Sequence, residues 1–275
     1  MSLPIAVQFY SVRDESEKDF FGTLKKIKEM GYDGVEFAGL YGHTPAEIRK
    51  MCEELDIVPV SAHVPFDEMI SDIEGTVKAY KTIGCRYIAV PYLTEERRPG
   101  AEKFGETVEY IKKIGAVCAE NGMTLLYHNH DFEFVKIDGE YGLDILYNTV
   151  SADLLQTEID TCWVNVGGEE PAAYVMKYAG RAPVVHLKDF VMKGREKPKK
   201  LYDLIGIDDE TESADEDDFS FKPVGYGVQN MKAIVEAAEK AGAGWVVVEQ
   251  DQPDKGNTSL NAVKMSIDFL RKLEY

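Results

Sequence analysis

Apolar positions along the chain fall into two alternating rhythms. Short unbroken runs rich in Val, Ile and Tyr occupy 5–10, 34–38, 58–64, 87–93, 124–130, 155–160, 183–189 and 245–250. Runs of this kind, without polar alternation, are expected of parallel strands buried on both faces. Between them apolar residues return every three or four positions, as in Phe20, Leu24, Ile27 and Met30, in Ile48, Met51 and Leu55, in Val108, Ile111, Ile114 and Val117, and in Met231, Ile234, Val235 and Ala238. That spacing predicts helices with one apolar stripe. Thr44-Pro45-Ala46-Glu47 reads as a helix start, with an N-cap, a proline at N1 and a capping-box glutamate. Gly31, Gly84, Gly122 and Gly242 stand where helices should stop before the next strand.

Eight β-then-α units can form an open sheet or a closed barrel, and periodicity does not choose between them. Eight units in 275 residues with no linker favour one α/β barrel of the (β/α)₈ TIM type, spanning 1–275 as a single domain. In either arrangement functional groups belong at the C-terminal ends of the strands. One stretch breaks the rhythm. After the seventh strand, residues 191–224 make a long charged loop, basic from Lys193 to Lys200 and acidic from Asp208 to Asp218. It reads as a solvated loop, or as a lid or subunit contact over the active end.

Composition narrows the choice of function. The apolar fraction of 44% suffices for a large core, and no run approaches the roughly 20 apolar residues of a membrane span. A net charge of −18 repels polyanions, so neither nucleic acid nor an anionic membrane is an expected partner. Cys52, Cys85, Cys118 and Cys162 are scattered without a CxxC pair and read as buried thiols of a reducing compartment. With no secretory leader legible at the N-terminus, a cytoplasmic protein is expected.

The candidate chemistry sits at strand ends. Glu249 closes the run Trp245-Val246-Val247-Val248, and Glu158 and Asp160 share one face of the sixth strand. His186 and Lys188 share a face of the seventh strand, as do His128 and His130 of the fifth, with Glu133 just beyond. His63 ends the third strand, so only His43 of the five histidines lies outside a strand end. Carboxylates and imidazoles are costly near an apolar core unless something compensates them, and one shared cation would do so. A shell of three carboxylates and one imidazole would suit Mn²⁺, Mg²⁺, Co²⁺ or Zn²⁺. Such an ion, bound to adjacent hydroxyl and carbonyl oxygens of a sugar, would acidify the C–H between them and favour an enediolate.

These strings, together with Val35-Glu36-Phe37-Ala38-Gly39, Tyr127-His128-Asn129-His130-Asp131-Phe132-Glu133-Phe134 and Pro223-Val224-Gly225-Tyr226-Gly227, run in one order along nearly the whole chain. They resemble the sugar isomerase/epimerase branch of the xylose isomerase-like TIM barrels. The resemblance implies a metal-dependent isomerase or epimerase of a sugar or keto-sugar, with one divalent ion at the C-terminal mouth held by Glu133, Asp160, His186 and Glu249. The fifth-strand motif departs from that of the ketohexose epimerases and leaves His128 and His130 as alternative ligands. Glu133 and Glu249 would be the acid/base pair. Glu36, His63, His128, Glu158 and Trp163 would meet the substrate, Trp163 standing where the epimerases carry a histidine.

The paired histidines also resemble inosose dehydratases and enzymes that eliminate from 3-keto-glycosides, in whose chemistry His130 or Lys188 would carry the proton. A lyase on a keto-sugar or keto-inositol is therefore the second expectation. A repair nuclease would need more metal ligands and a basic groove, and a non-catalytic sugar-binding barrel would leave the apparent metal shell without a use. The resemblance also implies self-association into dimers or tetramers.

Overall fold

A computed structural model describes residues 3–193 and 219–273. The strands are β1 (Ile5–Gln8), β2 (Gly34–Ala38), β3 (Val58–His63), β4 (Tyr87–Val90), β5 (Thr124–His128), β6 (Lys136–Ile137), β7 (Glu140–Tyr141), β8 (Gln156–Asp160), β9 (Val184–Leu187), β10 (Asp189–Met192), β11 (Phe219–Lys222) and β12 (Trp245–Val248). Eight of them close in the order β1-β12-β9-β8-β5-β4-β3-β2, every pair parallel. The expected TIM barrel is therefore the observed fold. β6–β7 and β10–β11 are separate antiparallel hairpins. Several predicted strands run two or three residues too long, β1 giving way to a one-turn helix at Phe9 and β4 ending before Pro91.

Residues on the outward faces of the strands, among them Val7, Val35, Val90, Leu125, Ile159, Val185 and Val248, pack with the helices into one large core. Inside the barrel a second cluster of Ala6, Val60, Tyr87, Ala89, Leu126, Val184 and Val247 fills the floor. Two residues further along each strand the inward position turns polar: Ala6 gives way to Gln8, Leu126 to His128, Val184 to His186 and Val247 to Glu249. Period-two geometry thus stacks an apolar plug under a polar layer.

Local signals in the sequence operate as read. Thr44 and Glu47 form the capping box of the helix Pro45–Leu55. Gly31, Gly84 and Gly242 end their helices in the left-handed conformation, while Gly122, also at positive φ, follows Asn121 at the C-cap. All four cysteines are buried free thiols. Of the charged loop, only its two ends, paired as the β10–β11 hairpin, and the segment from Pro223 fall within the described residues; the acidic stretch and all of the basic stretch except Lys193 lie outside them. Among the described residues no helix is long and apolar enough to cross a membrane.

Candidate active site

Sheet register assembles the polar layer. Asp160 of β8 pairs with His186 of β9, and His186 in turn with Val247 of β12, two residues before Glu249. On the other side His128 of β5 pairs with Glu158 of β8. Gln8 pairs with Glu36, and Ala38 with His63. His63 reaches the interior through an irregularity. The β2–β3 register shifts between Val35, opposite Pro59, and Glu36, opposite Ser61. Val60 faces the barrel floor, so strict alternation would turn His63 outward; the extra residue returns it inward.

Among the described residues two four-residue groups of metal-ligating atoms result, bridged by a third made of His63, His128 and His186, and the atoms of each group lie within 4.8 Å of one another. The upper group is His128, Asp160, His186 and Glu249. His128 Nε2 lies 3.3 Å from Asp160 Oδ2 and 3.4 Å from Glu249 Oε2, and His186 Nδ1 lies 2.9 Å from Glu249 Oε2. His128 Nε2 and Asp160 Oδ2 are buried without a hydrogen-bond partner among the described residues. The other Asp160 oxygen accepts the N–H groups of Cys162 and Trp163, which fixes the carboxylate. Burial disfavours an imidazolium at His128, yet the Asp160 and Glu249 carboxylates outweigh it and hold its pKa at about 9. A field that retains a proton so firmly also suits a divalent cation, and the His₂-carboxylate₂ donor set fits one.

Lys188 stands beside this group with its ammonium 2.8 Å from Asp251 Oδ2, 3.2 Å from Glu249 Oε2 and 3.4 Å from Asp160 Oδ2. Burial alone would depress its pKa, but Asp251, Glu249 and Asp160 together raise it well above the usual lysine value. Its charged head lies 5.2 Å from the ring centre of Trp163 and 5.4 Å from that of Phe221. Asp251, which the strand pattern did not single out, is pushed up to about 6 by burial, against the pull of Lys188.

Above the group opens a cavity of about 360 Å³ whose wall includes Tyr10, His63, Tyr92, His130, Glu249 and Asp251. The His130 ring stacks on Phe132 at 4.9 Å, and burial, followed by the charges of His128 and Lys188, drives its pKa well below the ordinary range.

Other expected residues stand elsewhere. Glu133 is not among the converging atoms: its carboxylate accepts the Tyr127 hydroxyl at 2.5 Å and the His130 N–H at 2.8 Å, and His128 occupies the ligand position expected of it. The turn Phe132–Phe134 carries Glu133 away from the barrel axis and makes it a brace for the His130 backbone. Trp163 is fully buried behind His130, outside the cavity wall. Glu36 and Glu158, expected at the substrate, lie fully buried beneath the upper group. The motif around Gly225 wraps a carboxylate: Asp189 accepts the N–H groups of Phe190, Gly225, Gly227 and Gln229.

Comparison with known proteins agrees with the fold. The profile of the xylose isomerase-like TIM barrel family matches residues 24–273. The chain is 26% identical to an inosose dehydratase of Geobacillus kaustophilus over 191 residues, a match spanning 61% of either protein. It is 23% identical to an inosose dehydratase of Clostridium botulinum over 272 residues, covering 90% of this chain and 88% of that enzyme. In fold it resembles a sugar phosphate isomerase/epimerase from Parabacteroides distasonis, with a TM-score of 0.77, 21% identity and 99% of both chains covered. It also resembles the IolI protein, solved with a bound zinc atom, with a TM-score of 0.71, 18% identity, and 97% of this chain and 96% of that one covered.

Proposed function

The chain belongs to the xylose isomerase-like TIM barrel family, and on that premise we propose that it is a metal-dependent lyase of keto-sugars or keto-inositols. It would remove the proton beside a carbonyl and expel a β-hydroxyl as water. The observation that carries this reading is the upper group, four converging side chains with orphaned buried atoms, set against a protonated lysine and opening through His128 and Glu249 onto a cavity. The sequence motifs alone ranked isomerisation first. The inosose dehydratases among the relatives favour elimination, which shares the same first step.

A divalent ion held by His128, Asp160, His186 and Glu249 would supply Lewis acidity toward a carbonyl and its neighbouring oxygen, making the C–H between them easier to ionise. The chain's own residues then manage protons. His130, neutral and exposed to the cavity wall, takes the C–H proton onto its imidazole. The imidazolium so formed, made acidic by burial and by the charges of His128 and Lys188, gives that proton to the departing hydroxyl, so that water leaves and one C=C bond forms where a C–H and a C–O bond break. Lys188 stays an ammonium throughout and holds Asp251 in place at 2.8 Å. Tyr10 and Tyr92 give the cavity apolar faces against which a sugar ring can rest.

Incubation with a keto-inositol and a panel of keto-sugars, in D₂O with Mn²⁺ or Zn²⁺, tests the assignment by mass spectrometry. Loss of one water is expected. Deuterium uptake without loss of mass would make the enzyme an isomerase or epimerase, and neither change with any substrate would overturn the proton-abstraction reading.

A further inference from the structure

Beneath the upper group lies the other four-residue cluster of converging ligand atoms, from Glu36, His63, Glu158 and His186. Glu36 and Glu158 are wholly buried, and the His63 side chain is one-tenth exposed where it reaches the cavity wall. His63 Nε2 lies 2.7 Å from Glu158 Oε2 and 3.1 Å from Glu36 Oε1, while His186 Nε2 lies 2.9 Å from Glu36 Oε1 and 3.5 Å from Glu158 Oε2. Donors around a tetrahedral zinc at its usual bond lengths stand about 3.3 Å apart. The observed spacings bracket that value.

Two features argue that hydrogen bonds alone do not account for this layer. His186 Nε2, despite its 2.9 Å approach to Glu36 Oε1, has no hydrogen-bond partner among the described residues; the converging oxygens Glu36 Oε1 and Glu158 Oε2 meet Gln8 and His63, while the second oxygen of each carboxylate, Glu36 Oε2 and Glu158 Oε1, is unpaired. Buried polar atoms left in this state are uncommon and costly. The second feature is charge. Glu36, Glu158, Asp160, Glu249 and Asp251 bring five buried carboxylates to one small volume, and among the described residues Lys188 is the one lysine beside them. A single divalent ion in the upper group leaves a surplus of negative charge. It also occupies His128 and His186, which then cannot balance that surplus as imidazolium ions. Two divalent ions neutralise the layer completely.

We propose that Glu36, His63, Glu158 and the Nε2 atom of His186 form a second, deeper site for a divalent cation of the zinc class, with the His186 ring shared between the two sites. His186 Nδ1 faces Glu249 in the upper group and Nε2 faces Glu36 in the lower, so each nitrogen has its own set of co-ligands. Gln8 donates to Glu36 Oε1 at 2.7 Å and orients that carboxylate from the β1 side. The ion would enter from the cavity past His63. The deep ion, shielded from substrate by the upper group, neutralises and fixes the layer rather than touching the reacting carbons. The inference rests on the proposed upper centre through the shared His186 and through the charge count.

The test is the zinc stoichiometry of the full chain, stripped with chelator, titrated with Zn²⁺ in a calorimeter and analysed for metal after desalting. The parent is expected to hold two ions, the double variant Glu36→Gln/Glu158→Gln one, and Asp160→Asn one. A single ion in the parent that survives Glu36→Gln/Glu158→Gln and is lost in Asp160→Asn overturns the deep site, whereas a single ion lost in the double variant and kept in Asp160→Asn overturns the upper centre instead. No ion in the parent overturns both. Circular dichroism checks that the double variant folds; should it not, His63→Ala removes one deep ligand beside the cavity and is expected to lower two ions to one.

Discussion

At the scale of single residues, Glu133 shows what a motif can hide. The family resemblance made it an expected ligand, but a one-turn helix folds the carboxylate back onto Tyr127 and the His130 N–H. Burial raises its pKa to about 7 against the lowering effect of those two hydrogen bonds. The raised value has a consequence for stability. Below about pH 4.5 the carboxyl is protonated in both the native and the unfolded chain. Between there and about 7 the unfolded chain releases a proton that the native protein keeps, so stability falls as pH rises through this window; above it both forms are ionised. The loss amounts to about 3 kcal/mol. Urea unfolding from pH 4.5 to 8 checks this, with the difference in slope between the parent and Glu133→Gln isolating the group. A parent and variant with parallel pH profiles would show that Glu133 is ionised throughout.

At the scale of elements, the ends of strands were legible and their irregularities were not. A Val-rich run ending in glutamate announces a buried strand with a polar tip, and so Asp160, His186 and Glu249 were legible as polar groups at strand ends, while their roles as ligands came from the family resemblance. The bulge that turns His63 inward leaves no trace in the local pattern, since Val58 to Val64 reads as unbroken strand. Asp251 was passed over because it lies past the strand on a loop, where periodicity no longer says which way a side chain points. The Gly225–Gly227 segment is a third case, in which Gly227 is required by close approach. A Cβ on Gly227 would stand 2.1 Å from Asp189 Oδ1 and 2.4 Å from the Phe190 carbonyl oxygen. Gly227→Ala must therefore displace the Asp189 carboxylate from its backbone donors, at an expected cost of about 2 kcal/mol or more. Because Lys188 precedes Asp189, the same change should also lower turnover. A variant with unchanged urea midpoint and turnover would show that the loop yields freely.

At the scale of the whole molecule, closing the barrel brings together carboxylates from strands far apart in sequence. That gathering is why the fold was easier to foresee than the site: periodicity fixes each strand, whereas the depth of each polar residue depends on how neighbouring strands stagger. β5, β8 and β9 carry His128, Asp160 and His186, and Glu249 follows β12, so the upper group spans one side of the barrel. Without a cation, closure presses these carboxylates together; with one, the same closure becomes a cross-link. Metal binding and folding are then coupled. At a free ion concentration one hundred times the dissociation constant, a single site adds about 2.7 kcal/mol of stability. For a chain of this size that corresponds to a rise in Tm of about 5–10 °C. Calorimetric melts of chelator-stripped protein with and without Zn²⁺ measure the rise, and in Asp160→Asn it should shrink, because the upper group has lost a ligand. Equal melting temperatures for the stripped and loaded parent would mean that the gathered carboxylates are balanced by protons alone and that no metal centre is built into the barrel.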